Sequence, residues 1–464
     1  MNAPFAIPSI KAAPDYRAFL AAKSQLDGQH GFAPSYQHPG AYDFQAALVD
    51  FAAHQGRGAA FADCGLGKTL VALSWSHNVV RHANRPVLIV APLSVSLQFV
   101  DEGAKFDLPA VRSLDGTVPA GAEIVTTNYE RLHRFDPQAF SGVVCDESSV
   151  LKNFDGARKA EITEFLRKVR YRLLCSATPA PNDYVELGTS SEAVGQLGHM
   201  DMLGTFFRND KDSLHPGVGA APWRFKRHAE VHFWRWLASW ARAVRRPSDL
   251  GFDDGPFVLP ELRQVEHIVE SARREGDLFA MPAATLAEER AERRASLTGR
   301  CERAAAILAE AESGVAWCHL NDEADLLERL IPGAVQVSGG DPDERKEEVF
   351  QAFRRGQVAR LVTKPRIAAY GLNWQHAATL TYFADHSFEQ WYQAVRRMWR
   401  FGQTRPVTAH LIASEGQRGA TRSLARKAAD AERMFAQMAA HMSDALRVRR
   451  IDPHTLPQMS PPWL

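Results

Sequence analysis

The ten residues FADCGLGKTL, Phe61 to Leu70, put two glycines, a lysine and a threonine into the turn after a short apolar run. That is a composition able to cradle phosphate. Glycines let backbone N–H groups come close to an anion, and a helix opening at the turn adds its positive end. In such a loop the lysine reaches the outer phosphates and the threonine hydroxyl binds Mg²⁺. Gly65, Gly67, Lys68 and Thr69 are therefore the candidate nucleotide-holding residues, although Ala62 stands where GxxxxGK[ST] has its first glycine. A second candidate is VVCDESSVLKN. Asp146 ends an apolar run, where a metal-coordinating carboxylate belongs, and Glu147 beside it can polarise an attacking water. A third is QAVRRMWRFGQT, in which Gln393, Arg397 and Arg400 recur at helical spacing and share a face. Two arginines and a glutamine there make chemical sense if they meet a nucleotide from across a cleft.

Positioning these groups requires sheets. Short β-rich runs alternate with helical patterns twice. The first series is 59–65, 86–92, 122–128, 142–147 and 171–179; the second is 314–320, 334–340, 359–365, 379–385 and 407–413. Continuous apolar strands separated by helices predict parallel sheets covered on both faces. The fold class expected is α/β, with two tandem parallel-sheet domains and a mostly helical insertion between them. The divisions are an N-terminal extension at 1–35, a nucleotide-binding domain at 36–182, an aromatic and basic insertion at 183–260, a second domain at 261–445 and a tail at 446–464.

The bulk composition narrows the classes. Hydrophobic residues make up 45% and charged residues 23% of the 464, ordinary for a globular chain with substantial cores. A formal charge of +1 means that any nucleic-acid footprint must come from local clustering. Five dispersed cysteines with no CxxC pair argue against a zinc site or a disulfide framework, so a reducing, cytoplasmic location is expected. No stretch reaches the roughly 18 unbroken apolar residues of a membrane span, so no membrane partner is expected. The strip WRFKRHAEVHFWRWLASWARAVRR, 223–246, mixes seven Arg/Lys with four Trp and one acid. Phe233, Trp236, Leu237 and Trp240 fall on a core stripe. Arg224, Lys226 and Arg227 are left as candidate phosphate contacts.

Taken in order, these segments resemble the motifs of a superfamily-two DEAD/DEAH-box helicase of the Swi/Snf-related group, in the compact form of its phage and prophage relatives. ADCGLGKT is similar to that group's phosphate loop, including the alanine. VLIVAPLSVSLQF, TTNYERL, DESSVLKN and SATPAPND resemble motifs Ia, Ib, II and III, and TKPRIAAYGLNWQHA and QAVRRMWRFGQT resemble motifs V and VI. The resemblance spans about 40–420. It implies RecA-like domains, ATP and Mg²⁺ as cofactors, and DNA as partner, duplex favoured over single strand. It further implies that Gln45 reads adenine, that Ser176 and Thr178 couple the nucleotide to the domain interface, and that Gly371 and Asn373 lie near the cleft. Pro92, Ser94, Thr127, Asn128, Thr363 and Lys364 become backbone-contact candidates. The chain departs from the pattern at Ser148–Ser149, where DEAH relatives have Ala–His, and at Ala368–Ala369, where a glycine pair is usual.

The expected activity is an ATP-dependent DNA helicase or translocase acting in phage or mobile-element replication, repair or recombination. An RNA-dependent motor and a nucleotide-gated DNA-binding switch are the alternatives. A small-molecule kinase would leave the second α/β domain without a purpose.

Overall fold

The computed structural model describes residues 30–152, 156–209, 223–270, 286–367 and 373–449. Strands β1 (Arg57–Ala62), β2 (Val87–Ala91), β3 (Ala110–Arg112), β4 (Ile124–Asn128), β5 (Gly142–Asp146) and β6 (Tyr171–Cys175) form the first sheet's body. The strands β2, β4, β5 and β6 are buried end to end, as befits a sheet covered on both faces, although only β2, VLIVA, is apolar throughout. A short antiparallel hairpin follows, β7 (Phe207–Asn209) with β8 (Trp223–Phe225). Then β9 (Ala241–Val244) returns to the first sheet and pairs in parallel with β1. The spatial order is β3-β4-β2-β5-β6-β1-β9.

The second sheet comprises β10 (Leu262–Val269), β11 (Gly314–Trp317), β12 (Ala334–Val337), β13 (Arg360–Thr363), β14 (Thr379–Phe383) and β15 (Val407–Ser414). Its order is β10-β15-β14-β11-β13-β12, with every pair parallel. The molecule is thus an α/β protein with two parallel sheets, each flanked by helices. All ten strands expected from sequence are present.

The region between the sheets differs from its expected form. It does carry helices, Leu187–Val194, His199–Phe206 and Glu230–Trp240, but it ends as strand β9 inside the first sheet. Its helix Glu230–Trp240 contributes Phe233, Trp234, Leu237 and Trp240 to the same core as Phe61 and Leu174. Trp236, expected on that stripe, is only partly buried, and Trp234 takes the deeper place. Strand β9 hides in the sequence because ARAV carries an arginine. Arg242 is nevertheless buried, with its guanidinium 3.7 Å from the centre of the Phe51 ring and bonded to the Ala241 carbonyl at 3.0 Å.

The long final helix, Arg418–Arg449, crosses from the second sheet to the first. Met434, Phe435, Met438 and Met442 sit in the first domain's core beside Trp234 and Trp240. Tyr184 donates to the Asp430 carbonyl at 3.1 Å, and Lys427 to Asn182 at 2.9 Å. Unbranched methionine fits irregular gaps of this kind. The segment assigned by sequence to the second domain therefore straps the two domains together. Among the described residues, no helix is long and apolar enough to cross a membrane.

Candidate functional site

Parallel strands deliver their C-terminal ends to one sheet edge, where ligands of such folds gather. In the first domain that edge carries the turn after β1, Asp146 at the end of β5 and Ser176 just past β6. Gly65 and Gly67 hold φ of +89° and +74°, a region that side-chain-bearing residues rarely enter. The turn also has no room for side chains. A Cβ on Gly67 would lie 2.3 Å from Gln45 Nε2, and one on Gly65 would lie 2.9 Å from the backbone nitrogen of Phe401. Gly67 caps the helix Lys68–Ala83, so Lys68 and Thr69 open its first turn. The Lys68 ammonium donates to the Ala62 carbonyl at 2.9 Å and to the Asp63 carbonyl at 3.3 Å. Gln45 is 5% exposed. Its amide donates to the Leu66 carbonyl at 2.9 Å while its oxygen accepts from the Tyr42 N–H at 3.0 Å. The glutamine thus joins the helix Asp43–Gln55 to the phosphate turn.

The second domain brings its own wall to the same place. Gly65 packs against Arg400 and Phe401, which follow the helix Phe388–Arg396. Glu147 lies between the walls with φ +53°, left-handed for a residue with a side chain. Such strain costs on the order of 1–3 kcal/mol and persists where the surroundings enforce it. Here they do. Its Oε1 accepts from Ser149 at 3.3 Å, Ser176 at 3.3 Å, Thr178 at 3.5 Å and, from the facing domain, Gln393 at 3.2 Å. Tyr129 donates to the Asp146 carbonyl at 2.6 Å, anchoring the strand end below. Lys152, in the turn after Ser148–Ser149, pairs with Glu389 across the interface.

The arginines divide into two kinds. Arg396, which the sequence did not single out, is buried and paired with Asp63 of the phosphate turn. Arg397 is 7% exposed and close enough to Glu147 to favour its charged form. Arg400 is partly exposed and its Nε has no hydrogen-bond partner. An arginine Nε left without a partner, beside a glycine cradle and a carboxylate at a strand end, is a donor set that fits a phosphate chain with a divalent cation.

No protein-family model matches the chain. Over 162 residues it is 32% identical to the SWI/SNF-related matrix-associated actin-dependent regulator of chromatin subfamily A-like protein 1 of Bos taurus. It is 30% identical over 162 residues to the Xenopus tropicalis counterpart. In both cases 32% of this chain is covered, and the chain spans 17% of the relative's length. Among solved structures, the Sulfolobus solfataricus SWI2/SNF2 ATPase core in complex with dsDNA aligns over 92% of this chain and 99% of that chain. The identity is 15% and the TM-score 0.42, too low to weigh, so the architecture rests on this chain's own strand pairing.

Burial dominates the electrostatics of the two acids. The Asp146 carboxyl is pushed up to about 7 by desolvation, with the Glu147 charge adding to the effect and Lys68 opposing it. Glu147 is raised for the same first reason, again against Lys68. A carboxyl whose proton is held more tightly in the native state makes the native state bind more protons between the unfolded and folded values. Stability then falls as pH rises from about 4 to about 7, and levels off above. With a chelator present, Asp146→Asn should raise the thermal midpoint relative to the parent more at pH 8 than at pH 5. Equal gaps at the two pH values would contradict the burial cost.

The nucleic-acid candidates are placed unevenly. Pro92 caps the helix Leu93–Lys105, which contains Ser94. Thr127 and Asn128 are buried at the end of β4, and the Thr127 hydroxyl and Asn128 Oδ1 have no hydrogen-bond partner. Thr363 is buried at the end of β13 with its hydroxyl given to the Val337 carbonyl at 3.1 Å, and Lys364 bonds Asn321. Arg224, Lys226 and Arg227 are exposed, with the Lys226 ammonium on the Gly204 carbonyl. Asn373 is half-buried and its Oδ1 lacks a partner. Gly371, like Ala368–Ala369, lies outside the described residues.

Sequence reasoning missed Asp63, Tyr392 and Arg396, and the pair Lys152–Glu389. The available signal was charge: an acid inside the phosphate turn and three arginines in the facing motif. Complementarity between Asp63 and Arg396, 333 positions apart, cannot be read from spacing on either segment.

Proposed function

We propose that the chain is a nucleic-acid-dependent ATPase of the superfamily-two, Swi/Snf-related kind, using ATP hydrolysis to move along DNA, duplex favoured. The observation that carries this is the meeting of Glu147 with Gln393, while Gly65 rests on Arg400 and Phe401. Two α/β domains each bring their candidate nucleotide residues to one seam.

In this reading ATP lies between the walls. Gly65 and Gly67 admit the phosphates, Lys68 leaves its carbonyl partners to neutralise the outer phosphates, and Gln45 stands where the base would be read. Thr69 and Asp146 would hold Mg²⁺, which when bound neutralises charge on the phosphate oxygens. Glu147 orients and polarises the attacking water. Arg397 and Arg400 meet the charge that spreads over the transferred phosphoryl oxygens. Ser176 and Thr178 share an oxygen of Glu147 with Gln393, so the loop after β6 senses both the acid and the facing wall. Closure on ATP and reopening after hydrolysis would shift one domain against the other, and a strand gripped by both would be moved.

DNA as the track is supported by the one-third of the chain that matches the SWI/SNF-related relatives and by exposed Arg224 and Arg227 on and beside the hairpin. A phage or mobile-element setting rests on the sequence resemblance alone. ATPase assays side by side with duplex DNA, single-stranded DNA and RNA test the reading, followed by triplex displacement on the best track. Strong stimulation by duplex, with displacement, is the expected result. Equal rates with and without any nucleic acid would contradict it.

A further inference from the structure

We infer that Asp63, Arg396 and Tyr392 form an interdomain latch that positions the arginine wall for phosphoryl transfer, a role that rests on the ATPase reading above. Asp63 lies between β1 and Gly65, inside the phosphate turn but outside its glycine cradle. It is 6% exposed. One of its oxygens accepts from the Cys64 N–H at 2.6 Å and from the Tyr392 hydroxyl; the other accepts from the Arg396 guanidinium. Arg396 Nη2 also donates to the Cys64 carbonyl at 3.0 Å, and Nη1 to the Trp399 carbonyl at 3.0 Å. The Arg396 guanidinium stands over the Trp399 ring at 4.8 Å.

The Asp63 carboxylate, the Tyr392 hydroxyl and Arg396 Nη2 are spent on joining the walls, while Arg396 Nη1 is bonded within its own domain and its buried Nε has no hydrogen-bond partner. Tyr392 and Arg396 are four apart and share a helix face. Together they fix the C-terminal end of the helix Phe388–Arg396 to the turn. The next residues along the chain are Arg397 and, one turn on, Arg400. The latch therefore sets where those two arginines stand relative to Lys68. A charge pair as buried as this is costly to break from one side and contributes little net stability, which suits a device that fixes geometry. Misplacing a catalytic group by about 1 Å can cost about 10²-fold in rate.

The test is steady-state ATPase with saturating duplex DNA for the full chain and for Asp63→Asn, Arg396→Gln, their double variant and Tyr392→Phe. Each charge variant should lose about tenfold to a hundredfold in kcat, with KM for ATP within about threefold of the parent. The double variant should be no worse than the poorer single one, since both remove the same link. The exchanged pair Asp63→Arg with Arg396→Asp should recover part of the loss. If the charge variants do not fold, Tyr392→Phe and Arg396→Lys carry the test, with kcat down about threefold and KM unchanged. Parental kcat, additive losses, or a rise in KM alone would overturn the latch. A parent protein with no DNA-stimulated turnover would instead sink the ATPase reading, and the latch role with it.

Discussion

Lys68→Ala should lower the DNA-stimulated ATPase rate by at least about 10³-fold. Removing one neutral donor from a site that stabilises developing negative charge costs about 10²–10³ in kcat. A charged donor in a partly buried site belongs at or beyond the upper end of that range. The lysine's surroundings show why nothing replaces it. Its ammonium is held by two carbonyls of the turn it closes, and it is the positive charge that most favours the charged forms of both Asp146 and Glu147. Arginine at this position keeps the charge but not the compact shape, so Lys68→Arg should recover little. DNA binding measured by fluorescence anisotropy should survive both changes. A residual rate within tenfold of the parent would show that the turn does not hold the reacting phosphates.

Arg400→Ala should cost about 10³-fold or more, and Arg397→Ala a comparable factor, with folding intact. An arginine supplied to the transition state of phosphoryl transfer is worth about 10³–10⁵ in rate. The lower figure corresponds to about 4 kcal/mol of barrier. Arg400 is the sharper case. Burial disfavours its charge, its Nε has no partner, and its backbone neighbour Phe401 rests on Gly65. Such a group is costly to keep in place and gains most when an anion arrives. Arg400→Lys should recover only a small part, because a point charge lacks the planar fork. Single-turnover kinetics checks the assignment: the chemical step should slow while ATP binding changes by less than about threefold. A loss that appeared only as a rise in KM would make Arg400 a binding residue instead.

The sheets were legible because parallel strands write themselves as apolar runs, as VLIVA and, up to its final acid, GVVCD do. The strands that escaped are those where the rule fails for a physical reason. Strand β10, LRQVEHIV, lies at a sheet edge and no residue of it is buried, Val265 and Ile268 being exposed along with its polar residues. The short β3 also lies at an edge, and β9 buries an arginine that its sequence presents as solvated. The strap formed by Met434, Met438 and Met442 reads as an ordinary amphipathic helix, since nothing local says which domain it covers. At the site, Gly65, Gly67, Lys68, Asp146 and Glu147 were legible because their chemistry is confined to one turn or one strand end. Asp63 and Arg396 were not, because their meaning exists only when the two domains face each other. The aromatic strip was legible as core in the main: Trp240 is buried where the stripe put it, and Trp234 takes the place expected of Trp236.

The claim beneath all of this is that one nucleoside triphosphate touches both walls. A crystal structure of the chain with Mg²⁺ and a non-hydrolysable ATP analogue tests it most directly. The account predicts the terminal phosphate within hydrogen-bond reach of Lys68 on one side and of Arg397 or Arg400 on the other, with Asp63 still paired to Arg396. A nucleotide bound elsewhere, or one held by Lys68 with both arginines turned to solvent, would contradict it.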